Sequence, residues 1–154
     1  MAVYFFDSSA LVKRYVKEVG TVWVTSILDP TAGNAIYIAR IAGAEGVSAI
    51  TRRGRRGNLT ASDAASALAQ FRHEFANVYR IVEITPALIE RAMGLAETHA
   101  LRGYDAVQLA AALEVNIHCL AMGLPPLTLV SADGTLNAAA IAEGLAVEDP
   151  NTHP

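Results

Sequence analysis

Four acids of this chain fall where carboxylates can do chemistry. Asp7 follows the apolar run VYFF, and Glu45 sits in the small-residue stretch IARIAGAEGVSAITRRGRR. Asp105 opens YDAVQLAAALEV, and Asp133 comes two residues after LTLVS. Carboxylates drawn into one place repel each other and lose hydration, so some hold protons at neutral pH unless a cation joins them. Hard oxygen ligands without His or Cys suit Mg²⁺ or Mn²⁺. The chemistry expected of such a centre is metal-assisted hydrolysis with water as nucleophile. Asp7 and Asp105 are expected as direct ligands. Asp133 is expected to serve a second ion or a coordinated water, and Glu45 to be a ligand or to orient the attacking water.

Each acid also has a plainer reading. An Asp in the first turn of a helix commonly caps it or faces its dipole, which covers Asp105 and Asp133 taken singly. Asp7 is harder to dismiss, because Ser8 and Ser9 beside it could cap as well. Glu45 is the hardest, since the residues three and four positions away are Ile41, Ala42, Ser48 and Ala49, none able to form an ion pair on the helix surface.

Rival chemistries are poorly supplied. His73, His99, His118 and His153 are scattered, and His118 beside Cys119 does not have zinc-pair spacing. No phosphate-binding GxxxxGK[ST] or GxGxxG run occurs, and no GxSxG marks a hydrolase serine. An aspartyl phosphotransfer enzyme would be expected to carry a second Asp two residues after the first, where Ser9 stands.

The elements that must position these acids alternate. VYFF reads as a buried strand, GTVWVTSILD as a helix, AIYIA as a strand, and the Glu45 segment as a helix running to RRGRRG. Then come a long helix capped by Thr60 or Ser62, the strand RIVEIT, and a helix with Pro86 in its first turn. The helix YDAVQLAAALEV follows Gly103; LTLVS is a strand, ADGTLNAAAIAEG a helix and LAVED a last strand. Such alternation predicts an α/β fold with a mainly parallel sheet, whose functional groups gather at the carboxyl ends of strands.

The chain has 154 residues, 53% of them hydrophobic and 18% charged, which fits one domain over residues 1–150 with a frayed tail at 151–154. A net charge of -3 argues against nucleic-acid binding by bulk charge. Local clusters remain: Arg52, Arg53, Arg55 and Arg56, and then Lys13, Arg14 and Lys17. Trp23, Tyr15 and Tyr104 are equally compatible with a core role or with meeting RNA or a partner. Cys119 is the only cysteine, no secretory signal or membrane span is evident, and a cytoplasmic protein is expected.

With these residues in view, the chain resembles PIN-domain ribonucleases of the VapC toxin type. The matching segments are YFFDSSALVKRYVKE, YIARIAGAEGVSAITRRGRRG, RGYDAVQLAAA and LVSADGTLNAAAIAEGLAVEDP, in the family's order. The resemblance implies a three-layer α/β/α domain with a central sheet of four to five strands. It implies an acidic pocket holding Mg²⁺ or Mn²⁺, hydrolysis of RNA phosphodiester bonds, a homodimer, and a small antitoxin that blocks the pocket. It carries the family's acids onto Asp7, Glu45, Asp105 and Asp133, and its small hydroxyl residues onto Ser9 and Ser131. The arginine cluster is then expected to hold RNA, with Lys13, Arg14 and Lys17 next. The glycines of AGAEGV, the link IHCLAMGLPP and Gly134 depart from the family pattern. Two other readings predict different behaviour: an inactive PIN-fold binding or regulatory module acting through a partner, and the phosphotransfer enzyme already disfavoured by Ser9.

Overall fold

The structure, a computed structural model, describes residues 1–154. Its central strand is β1 (Val3–Phe6), flanked by β2 (Ala35–Ala39) and then β3 (Arg80–Val82) on one side. On the other side lie β4 (Thr128–Val130) and β5 (Ala146–Glu148). Every pairing is parallel, and Phe5 is in register with both Tyr37 and Leu129.

Side chains on successive strand residues point to opposite faces, so one sheet feeds two cores. Phe5 and Leu129 face one, with Leu88, Leu95, Leu109 and Leu136. Phe6 and Val130 face the other, with Leu11, Val24, Ile50 and Phe71. The second core lies under α1 (Ser8–Leu11, continued by a 3-10 turn to Arg14), α2 (Thr21–Leu28), α3 (Ala42–Arg55) and α4 (Ala61–Asn77). The first is covered by α5 (Pro86–His99), α6 (Gly103–Ala121) and α7 (Gly134–Ala142). The result is the α/β/α sandwich expected, and a sheet covered on both faces explains why its middle strands are continuous apolar runs.

Local signals set the helix ends. The Thr60 hydroxyl accepts from Asp63 N and that of Thr85 from Leu88 N, with Pro86 at the first helical position where its missing N–H costs nothing. α6 runs to Ala121, beyond the end at Val115 that the sequence suggests. Cys119 is buried, so the helix keeps an apolar face through the segment read as a link. It stops at Gly123, whose φ of 70° is left-handed, with Leu124 N bonded back to Cys119 O.

The last residues are not frayed. Pro150–Thr152 form a 3-10 turn, the Asn151 side chain accepts from Lys13 Nζ at 3.1 Å, and the His153 ring stacks on Trp23 with centroids 4.1 Å apart. These contacts supply the order that a short polar terminus lacks by itself. No helix is long and apolar enough to cross a membrane.

Candidate active site

The chain leaves β1 for the β2 and β3 side and later returns to the opposite side with β4. The carboxyl ends of β1 and β4 therefore border the point where the winding direction reverses, which is where open parallel sheets leave a crevice. Asp7 follows β1 and Ser131 follows β4, and the two meet there: Ser131 Oγ donates to Asp7 Oδ2 at 2.7 Å.

Asp7 is also the cap of α1. Its Oδ1 accepts from Ala10 N at 3.0 Å and from Ser9 Oγ at 2.7 Å. The carboxyl is almost fully buried, and burial pushes its pKa up to about 6 against the opposing pull of Ser9, Ser131 and Ala10. Ser9 Oγ in turn accepts from Ala132 N, and Ser131 Oγ accepts from Asp133 N, so the two serines tie the β1 and β4 ends together. Asn137 Nδ2 fixes the Ser131 carbonyl at 2.8 Å.

Asp133 caps α7 through Oδ1, which accepts from Thr135 N and Leu136 N, and no protein donor reaches its Oδ2. Asp105 lies in the first turn of α6, buried, and accepts no hydrogen bond from the protein. Its pKa is raised to about 6, first by burial and then by the charge of Asp133, with Arg102 opposing and Glu45 adding.

Glu45 lies in the first turn of α3, and its partners are distant in sequence. Ser8 Oγ donates to Glu45 Oε1 at 2.7 Å and Gln108 Nε2 donates to the same oxygen at 3.0 Å, leaving Oε2 without a protein donor. Gln108 is buried one turn beyond Asp105, and its own Oε1 has no partner. Neither Gln108 nor Ser8 was identified as a site residue by sequence reasoning. The spacing of three between Asp105 and Gln108, which puts both on one helix face, was the available signal.

All four acids line one pocket of about 480 Å³, together with Ser8, Ser9, Gln108, Arg52 and Tyr104. Ser131 sits behind Asp7, fully buried. No three acidic, histidine or cysteine side chains are drawn into a closed metal-ligand set. The donors nevertheless suit a hard divalent cation. They are all oxygens, Asp105 and one oxygen each of Glu45 and Asp133 lack protein donors, and an unpartnered amide oxygen lies among them.

The basic residues divide. Arg52 lines the pocket, and Arg55, Arg56 and Lys17 are exposed. Lys13 and Arg14 do not match the expectation of RNA contacts. Lys13 is buried between Asn151 and Glu18, and Arg14 forms a two-point pair with buried Glu74 at 2.8 to 3.2 Å. Their helical turn faces inward, so their charges are consumed within the fold. Arg53 pairs with Glu18 at 3.0 Å.

A doubly covered parallel sheet with carboxylates clustered at its winding reversal defines an α/β/α domain with an acidic pocket. The PIN domain family model matches residues 4–142, and the chain belongs to that family. It is 34% identical to Ribonuclease VapC45 of Mycobacterium tuberculosis (strain CDC 1551 / Oshkosh) over 154 residues, the whole of both chains. Two solved structures share the fold. FitAcB from Neisseria gonorrhoeae has a TM-score of 0.63 at 18% identity, covering 96% of this chain and 97% of that one. VapC20 of Mycobacterium tuberculosis, a sarcin-ricin loop cleaving toxin, has a TM-score of 0.60 at 18% identity, covering 98% and 99%.

Proposed function

We propose that this protein is an endoribonuclease that hydrolyses RNA phosphodiester bonds, the toxin of a toxin-antitoxin pair. The observation that carries the reading is the convergence of Asp7, Glu45, Asp105 and Asp133 on one pocket at the ends of β1 and β4. Full-length likeness to a named ribonuclease supports the same reaction class. Residues 1–150 act as one catalytic domain, in the reducing cytoplasm, as a homodimer with a small antitoxin that covers the pocket.

Asp7, Asp105, Asp133 and Glu45 would hold Mg²⁺ or Mn²⁺. When bound, such an ion offsets phosphate charge and makes water a stronger nucleophile at neutral pH. The chain's own groups do the rest. Ser9 and Ser131 fix the Asp7 carboxylate, so it presents the same face to every substrate. Ser8 and Gln108 fix Glu45 by one oxygen, which leaves the other to accept a proton from the attacking water and orient it. Arg52 attracts a substrate phosphate at the rim of a pocket that would otherwise repel it.

Purified protein, freed of antitoxin, is expected to cleave total RNA with Mn²⁺ and to stop when Mn²⁺ is chelated. Asp7→Asn should lower the rate by at least roughly a hundredfold, on the scale of losing an electrostatic group in an active site. Wild type that leaves RNA intact while binding an antitoxin tightly would instead mark a regulatory module.

A further inference from the structure

Tyr104 is the one exposed aromatic residue of the chain, and it stands at the acidic pocket. The residue is 47% exposed, whereas every other Phe, Tyr or Trp is buried or half-buried. The hydroxyl accepts from Arg102 Nη1 at 3.0 Å, which anchors the polar end of the ring. The ring itself has no stacking or cation-π partner within the protein. A flat apolar surface is thus held in a defined place beside Asp105 and left open. Arg102 is exposed, and its guanidinium lies in the field of Asp105 and Asp133, so the lip carries positive charge next to the acids. Arg52 brings a second cation to the pocket from α3.

Unpaired RNA bases are recognised by stacking on aromatic planes, and every base offers a flat face of its own. A pocket of carboxylates gains from such a contact, because stacking gives affinity that does not depend on phosphate charge. A protein segment docking here would need apolar neighbours around the ring. The pocket it shares is instead mostly polar, lined by Asp105, Asp133, Gln108 and Arg52, with Val12 and Ala49 its only other apolar residues. We propose that Tyr104, steadied by Arg102, is the stacking platform for a base beside the scissile phosphate, and that it selects single-stranded over paired RNA. The inference rests on the ribonuclease reading and adds the element that reads the substrate.

The test uses a short single-stranded RNA carrying 2-aminopurine, bound in the cleavage-deficient Asp7→Asn background. Fluorescence quenching and affinity should survive Tyr104→Phe and Tyr104→Trp within about twofold. Tyr104→Ala should lose the quenching and weaken binding roughly tenfold or more, the scale of one base-aromatic stack. Replacing the stacked nucleotide by an abasic one should erase the difference between Tyr and Ala. Because Tyr104 is exposed, an unchanged melting temperature is expected to accompany Tyr104→Ala. Equal binding by Tyr104→Ala overturns the platform while wild-type cleavage leaves the nuclease reading standing. So does a Phe variant as weak as Ala, or a variant that loses only a co-expressed antitoxin. A wild type that neither binds nor cuts RNA overturns both.

Discussion

Asp7 accepts three hydrogen bonds and its pKa is still raised, from 3.8 to about 6, because burial outweighs the donors. Between those two values the folded protein holds more protons than the unfolded chain. Stability from this group is therefore present at acidic pH, falls as pH rises through that window and stays low above it. A shift of this size is worth on the order of 3 kcal/mol at most. In metal-free buffer, Asp7→Asn should melt higher than wild type at pH 7.5, and the gap should shrink toward pH 5. Adding Mn²⁺ at pH 7.5 should raise the wild-type melting temperature, because a ligand that binds only the folded state stabilises it, and Asp7→Asn should respond far less. Scanning calorimetry at the two pH values decides the matter; a gap that does not change with pH would mean that Asp7 is charged throughout.

At the scale of elements, the glycines of AGAEGV turn out to serve the packing of α3 on α4. A Cβ on Gly46 would lie 2.5 Å from Phe71 Cζ, and one on Gly43 would lie 2.9 Å from Phe75 Cζ. Phe71 is 1% exposed and packed into the core, and the added Cβ would meet it more closely than one on Gly43 would meet half-buried Phe75. Gly46→Ala should therefore cost about 1–3 kcal/mol, as overpacking a core does, and Gly43→Ala distinctly less. Urea denaturation of the two variants measures this, and equal midpoints would remove the argument. Because Glu45 is the neighbour of Gly46, the first variant should also slow RNA cleavage. The sequence could not reveal this pairing, since it depends on a ring 25 positions away. Strand and helix order was legible because each element carries its own local signal: alternation or apolar run, Thr cap, Pro at the first turn, Gly at the stop. The partner of Glu45 was not, because Gln108 is 63 residues distant and meets it only after the sheet has been wound.

Over the whole molecule, charge was the feature sequence conveyed least well. A count gives -3, and clustering suggests two basic patches, but the fold withdraws Lys13 and Arg14 into buried pairs and ties Arg53 to Glu18. A run such as VKRY looks solvated until the turn that contains it is placed against α4 and the C-terminal 3-10 turn. Of those two clusters, the cations left for RNA are Arg52 at the pocket, with Arg55, Arg56 and Lys17 beyond it. Each phosphate neutralised on a single strand contributes about 0.7 to the slope of log affinity against log salt. Replacing Arg52, Arg55 and Arg56 by Gln should weaken binding of single-stranded RNA and lower that slope by about 2, with little change in melting temperature. Arg14→Gln should do the reverse: it strands buried Glu74, costs roughly 3 kcal/mol or more of stability, and leaves the slope of the folded fraction unchanged. Titrations from 50 to 300 mM salt, paired with melts, distinguish the two groups. If Arg14→Gln flattened the slope and the triple variant did not, the RNA path would run over α1 and α4 instead of across the pocket.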